Sequence, residues 1–455
     1  MPVGFRLGGF LQGRMNLVFL CRLVMGRGRA ALVSFGWLLL ATAIWGEAAS
    51  QLYGRPVVEI RIKGARFTQP EVIHRELVSQ VGAPYTQEAA QQDPARLDRL
   101  DIFTHIAVRA MPQGEGVAVE VEVEEILPYL PFFSYQITDE NGFAGGPGFQ
   151  SVNFRGRDVQ VYSSARFGGA TNINLAYADP WLAGNHLSLA IEGYQRDRFN
   201  KLDDFAETAS EIDVELGSYI GANGRVGGRL SFISLGSDTP GKTLDGDDRD
   251  NFLTLALSAG YDSRDWWSDP HTGWWNGLEV AHSGGPLGGD ADFTTLTVDL
   301  RRYIPVFPRH TLALFALTGL RRGQMGRDIP RHQDYHLGGT NSVRGWELDS
   351  RRGKNQFIQT TEYRYTLIEP KVLRLFGQSA DLGLQLAAFG DVGVAWDEDG
   401  PELDDFIGGY GVGLRLLMPF VHMFRFDVAW GQKRAGMQFN IGAYEKPVAQ
   451  RFRVR

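Results

Sequence analysis

The amino-acid sequence predicts a mainly β protein: a transmembrane antiparallel β-barrel of about 16 strands, preceded by one small α+β module. Three observations carry this. From Pro128 onward, segments of about ten residues alternate apolar and polar side chains and stop at Gly, Asn, Asp or Pro clusters, the period-2 signature of strands. Glycine, at 56 of 455 residues, and aromatic residues, at 12%, are plentiful while mean hydropathy is slightly negative. That suits a turn-rich sheet with aromatic girdles better than a bundle of apolar spanning helices. Charged residues also recur in mid-segment on the polar face, where the dry core of a soluble sandwich would penalise them and a water-filled lumen would not.

Residues 1–49 read as a secretory signal peptide. Arg22, Arg27 and Arg29 precede an apolar run from Ala30 to Gly46, which ends in Glu47-Ala48-Ala49-Ser50. This is a positive region, an apolar region and a small-residue end in the required order. The flank before it is long, and a start at Met25 would give a leader of about 25 residues. A single anchoring helix is the alternative for this run. The sole cysteine, Cys21, lies ahead of or within the leader, so the exported chain would need no disulfide in an oxidising compartment. A net charge of −7 offers no basic surface for nucleic acid.

Residues 56–125 predict a small β-α-α-β-β module. Val58, Ile60 and Ile62 alternate with Val57, Glu59, Arg61 and Lys63 as in a half-buried strand. Thr68-Gln69-Pro70-Glu71 is a helix start with Thr68 as candidate N-cap, and Val72, Ile73, Leu77 and Val81 keep helical spacing until Gly82-Ala83-Pro84. A second helix spans roughly Gln87 to Leu100. Phe103 to Ala110 and Val117 to Glu124 are strands, with Val117, Val119, Val121 and Val123 on one face and Glu120, Glu122 and Glu124 on the other.

Pro128-Tyr129-Leu130-Pro131 marks the boundary to the barrel, residues 128–444. Ile212, Val214 and Leu216 alternate with Glu211, Asp213 and Glu215. Leu296, Val298 and Leu300 alternate with Thr297, Asp299 and Arg301. Phe424, Phe426, Val428 and Trp430 alternate with Arg425, Asp427 and Ala429. Tryptophans at segment ends (Trp266, Trp267, Trp274, Trp275, Trp346, Trp396 and Trp430) suggest interfacial girdles. A basic tail, residues 445–455, follows the last strand.

Five motifs in order resemble those of the outer-membrane assembly and translocation superfamily of BamA/TamA type, whose barrel is of the bacterial surface antigen kind. They are Ala178-Asp179-Pro180-Trp181-Leu182, Tyr261-Asp262-Ser263-Arg264-Asp265, Val343-Arg344-Gly345-Trp346, Phe389-Gly390-Asp391-Val392-Gly393, and Gly411-Val412-Gly413-Leu414-Arg415 followed by Pro419 and Arg425-Phe426-Asp427. The 56–125 module resembles a polypeptide-transport-associated (POTRA) domain. The resemblance implies an outer-membrane barrel with its POTRA domain in the periplasm, acting in insertion or translocation of proteins. It further implies that Val343, Arg344, Gly345 and Trp346 form the tip of an inward loop, held by the inner wall at Phe389, Asp391 and Gly393. Parity agrees: Leu384, Leu386 and Ala388 form the apolar set, so Phe389 and Asp391 share the polar face, and Glu362 and Arg364 oppose Tyr363 and Tyr365. Arg344 is therefore expected to bind Asp391 bidentately, with Glu362 near, in a wet lumen that weakens the pair.

The partners expected are outer-membrane lipid, an extended client polypeptide added at the POTRA sheet edge and other assembly-machinery subunits; no nucleic acid and no cofactor is expected. Trp346 replaces the family's usual Phe or Tyr, and one POTRA domain is few for its full insertion machines. A lipid-handling or accessory barrel, or an outer-membrane lipase or protease, stays open as an alternative, though no G-x-S-x-G elbow is present. Three other stretches read as structural: the acidic run Asp245 to Asp250 lacks the glycine and glutamate of a calcium loop, His332 and His336 lie in loop context, and Gly284 to Gly289 form a turn.

Overall fold

The computed structural model describes residues 52–443 except 101, 139–140, 183–186, 201–203, 222, 266–268, 348–349, 376–377, 419–421 and 432–437. The predicted leader and the basic tail lie outside the described residues, as do Trp266 and Trp267. The chain forms two compact units. One joins the chain up to Arg61 with Val78–Gln91 and Val108–Glu120; the other joins Ile62–Leu77, Gln92–Ala107 and the chain from Val121 on.

The first elements are β1 (Val57–Lys63), α1 (Pro70–His74), α2 (Gln87–Asp98), β2 (Phe103–Gln113) and β3 (Gly116–Glu125), with a three-stranded sheet in the order β1-β3-β2. Central β3 buries Val117, Val119 and Val121 completely and Val123 nearly so, each worth about 1.5 kcal/mol or more. Helix α1 is a single turn, shorter than the apolar spacing predicts. Val72, Ile73 and Leu77 are buried, but Val81, the last residue of that spacing, is 64% exposed, so the buried stripe does not continue to the end of the predicted helix. Its N-cap is Gln69, without a side-chain cap bond. Thr68 instead donates its backbone N–H to Glu125 Oε1 at 2.6 Å.

The remaining strands are β4 (Tyr129–Thr138), β5 (Gly142–Phe154), β6 (Val159–Gly168), β7 (Thr171–Asp179), β8 (Leu187–Asn200), β9 (Phe205–Ile220), β10 (Gly224–Ser237), β11 (Arg249–Asp262), β12 (Gly273–Gly284), β13 (Asp292–Phe307), β14 (His310–Arg322), β15 (Tyr335–Leu337), β16 (Arg351–Gly353), β17 (Asn355–Leu375), β18 (Gln378–Trp396), β19 (Ile407–Met418), β20 (His422–Gly431) and β21 (Gln438–Ala443). Sixteen of them make one sheet, running β4 to β14 and then β17 to β21 in sequence order. The strand number matches the sequence expectation. Strands β15 and β16 pair only with each other, inside the long connection 323–354.

Burial along these strands is inverted relative to a soluble protein. On β9, Ile212, Val214 and Leu216 are 58%, 43% and 48% exposed while Asp213 and Glu215 are buried. On β13, Leu300 is exposed and Asp299 and Arg301 are buried. On β10, Val226, Leu230 and Phe232 are exposed and Arg225, Arg229 and Ser231 are buried. A contiguous apolar face of this extent needs an apolar solvent, and the buried charges neutralise one another: Arg225 meets Glu215 at 2.9 Å and Arg229 meets Glu279 at 3.0 Å. No described helix is long and apolar enough to cross a membrane.

Alternation fixes two ends. The turns 263–272 and 308–309 lie at the end where β4 begins, here the proximal end; the connections 238–248 and 323–354 start at the distal end. Of the predicted girdle tryptophans, Trp274 is 44% exposed, but Trp275 is fully buried on the charged face beneath Arg264, and Trp346 packs within the long connection. Consecutive positions point to opposite faces, so a Trp-Trp pair cannot place both rings in the girdle.

Candidate functional site

The connection 323–354 folds back across the charged face of the sheet. A hydrophobic cluster seats it: Leu337, Val343 and Trp346 are buried with Ala395 of β18 and Ile407 of β19. Glycine makes the approach close enough. Gly345 has φ +85°, and a Cβ there would stand 2.5 Å from the Trp430 carbonyl carbon. A Cβ on Gly393 would stand 2.7 Å from Val343 Cγ2, and one on Gly409 would stand 1.8 Å from the Arg344 carbonyl oxygen. The loop thus lies backbone to backbone on β19 and β20, with the Val343 side chain against Gly393 of β18. The Trp346 indole N–H donates to Gly408 O at 2.8 Å.

This seating delivers Arg344 to the wall. Its Nε and Nη2 donate to the two oxygens of Asp391 at 2.7 and 2.8 Å, a two-point fork, and its backbone N–H donates to Asp391 Oδ2 at 3.1 Å. Nη1 donates to Glu362 at 3.3 Å and to Asp427 at 3.1 Å. The guanidinium carbon lies 3.4 Å from the centre of the Phe389 ring, which forms its floor. Thr360 Oγ1 donates to Asp391 at 2.8 Å. Beyond this shell, Arg415 donates to Glu362 at 2.6 Å and to Asp427, and Arg364 donates to Glu362 at 2.7 Å. Three carboxylates thus face three guanidiniums.

The cluster is dry. Arg344, Glu362, Arg364, Asp391, Arg415 and Asp427 are each at most 4% exposed, so the wet, weakened pair expected from the sequence is not what the loop and wall create. Burial alone would weaken the hold of Arg344 on its proton. The fork to Asp391, with Glu362 and Asp427, reverses this and raises the proton affinity above that of an ordinary arginine. Sequence reasoning placed Asp391 and Glu362 on one face by parity. It did not assign Asp427, Arg415 or Arg364 to this cluster. Arg415 and Asp427 already stood in a quoted motif, so their positions on inward parity were the available signal.

His336 Nε2 lies 2.7 Å from Asp334, and the His332 ring packs edge-on to Phe205. Gly284 to Gly289 make the β12–β13 turn, and Asp250 accepts the Leu244 N–H at 2.7 Å.

The Omp85 superfamily domain matches residues 153–444. The chain is 23% identical over 359 residues to the outer membrane protein assembly factor BamA of Nitratidesulfovibrio vulgaris, covering 74% of this chain and 44% of that protein. It is 22% identical over 432 residues to BamA of Neisseria meningitidis, covering 84% and 53%. The chain therefore spans about half the length of these curated relatives. The fold is similar to that of the crystal structure of BamA from Haemophilus ducreyi lacking POTRA domains 1–3, with a TM-score of 0.59 at 16% identity, covering 85% of this chain and 83% of that one. With a match across most of its sheet, and an inverted sixteen-strand sheet to go with it, the chain belongs to the Omp85 superfamily.

Proposed function

We propose that this protein inserts or translocates other proteins at the outer membrane of a Gram-negative bacterium. The observation that carries the reading is the position of the Arg344 cluster. The latch grips β18, β19 and β20, the strands beside the sheet's terminal strand β21. In this reading the sheet closes as a barrel between β4 and β21. That junction is where, in this scheme, strands part and an incoming strand pairs with a free edge. The latched loop then sets the shape of the wall next to that seam.

Residues 56–125 act in this scheme as a periplasmic POTRA domain ahead of the barrel at 128–444, presenting a sheet edge to an extended client; membrane lipid covers the apolar face, and other assembly subunits join through the periplasmic part. The chemistry is non-covalent, so no catalytic residue is assigned. Depletion followed by outer-membrane proteomics tests the reading. Loss of one or more inserted or secreted clients is expected. An unchanged proteome with altered lipid asymmetry would overturn it in favour of lipid handling.

A further inference from the structure

The β11–β12 turn, residues 263–272, carries the motif Asp262-Ser263-Arg264-Asp265 that the latch leaves unexplained. It is stapled internally. Arg264 Nε and Nη2 donate to Asp262 at 2.9 and 2.7 Å, and Asp265 Oδ1 accepts the backbone N–H groups of His271 and Thr272 at 2.9 and 3.1 Å. Asp269 lies on the charged side of the sheet, where it is 1% exposed and held by contacts of its own. Its Oδ2 accepts the Gln385 amide of β18 at 2.7 Å and lies 3.6 Å from His271 Nε2; its Oδ1 lies 3.8 Å from Arg364 Nη1 of β17.

Arg364 is the junction. Its other edge donates from Nε to Glu362 Oε1 at 2.7 Å, and Glu362 Oε2 accepts Arg344 Nη1 at 3.3 Å and Arg415 Nη2 at 2.6 Å. Charges therefore alternate without a break from the proximal turn to the loop that enters from the distal end: Asp269, Arg364, Glu362, Arg344, Asp391. We propose that Asp269 is a positioning residue for the latch: it fixes the Arg364 guanidinium so that Glu362 is presented to Arg344, coupling the proximal turn to the inward loop. This rests on the reading of Arg344 as the loop's anchor. Because Glu362 and Arg364 stand two apart on one rigid strand face and share a 2.7 Å bond, a guanidinium that loses Asp269 turns and draws Glu362 away from Arg344.

Amide hydrogen exchange of residues 338–346 in the full chain, folded in detergent micelles, tests this. Asp269→Asn is expected to speed exchange there about tenfold, the factor for one weakened charge-assisted hydrogen bond. Asp265→Asn, which loosens the same turn without facing Arg364, is expected to speed exchange only within 263–272. Equal effects of the two variants on 338–346 would reduce Asp269 to a generic structural part and overturn the proposal, as would an unchanged loop in Asp269→Asn. If Asp269→Asn does not fold, Arg364→Lys, which keeps the charge but cannot span both carboxylates, carries the same expectation and the same refutation. A loop that loosens while clients are still inserted normally would count against the proposed function and leave the coupling standing.

Discussion

Replacing Arg344 by lysine and by alanine separates charge from geometry. The guanidinium makes four side-chain hydrogen bonds, two to Asp391 and one each to Glu362 and Asp427. Alanine leaves three buried carboxylates short of one guanidinium, with Arg415 and Arg364 still bonded to the cluster, and removing one partner from a buried pair costs about 3–5 kcal/mol. Lysine keeps the charge but cannot form the fork, losing about 2–3 kcal/mol, the worth of one charge-assisted bond. The ladder hydrogen bonds of the sheet do not depend on either change, so the loss appears as local opening of the loop and not as unfolding of the strands. Val343 is fully buried beside Arg344, so a Val343→Cys reporter with Cys21 replaced by serine reacts with a water-soluble maleimide only when the loop lifts. Alanine should raise that rate by about 10²- to 10³-fold or more and lysine by about 30- to 150-fold, at about 1.4 kcal/mol per decade. A lysine variant as slow as the parent, or as fast as alanine, would refute the assignment of the stabilisation to the fork.

The charge exchange Arg344→Asp with Asp391→Arg is expected to restore little, because the carboxylate brought in on the loop would then face Glu362 and Asp427 across a dry site; rescue to near the parent's maleimide rate would show that Asp391 is the only partner that counts. Gly409→Ala is expected to displace the loop at a cost of about 1–3 kcal/mol, while Gly390→Ala, whose Cβ would meet nothing within 4 Å, should leave the same rate unchanged; equal effects would contradict the close approach. Trp346→Phe keeps an aromatic ring but loses the bond to Gly408 O, and should open the loop by about 1 kcal/mol on the same assay. Glu125 accepts the backbone N–H groups of Arg66, Phe67 and Thr68. Burial pushes its carboxyl up, but these bonds, led by Thr68, win and hold it below its ordinary 4.5. A depressed folded value means the contribution is present above about 4.5 and is lost as pH falls through the folded value. Protection factors of residues 62–77, corrected for the intrinsic pH dependence of amide exchange, should therefore fall in acid for the parent and stay level for Glu125→Gln; identical acid profiles would remove Glu125 from that role.

Much of this fold was legible because a strand writes its period into local sequence. Leu386 exposed against Phe389 and Asp391 buried, and Tyr363 exposed against Glu362 and Arg364 buried, follow from alternation alone. The length of α1 was misjudged because helical spacing in Val72, Ile73, Leu77 and Val81 is only a weak prior until tertiary burial supports it. The dryness of the latch was also missed. It arises from Val343, Trp346 and the glycines of β18 to β20 bringing loop and wall into contact, and no single segment encodes that.

The sequence by itself therefore determined the strands, about how many there are and their two faces, since each is a property of neighbours along the chain; that an incoming arginine meets Asp391 was implied by the resemblance of its motifs to a family, with parity in agreement. The tertiary structure alone decided that Asp427, 83 positions from Arg344, shares its guanidinium, that Arg415 and Arg364 complete the neutral cluster, and that Asp269 reaches Gln385 116 positions away. Those contacts depend on strand order, register and the path of two turns through a shared interior. Electrostatic energy depends on distance in space and on exclusion of water, and neither is written in spacing along the chain.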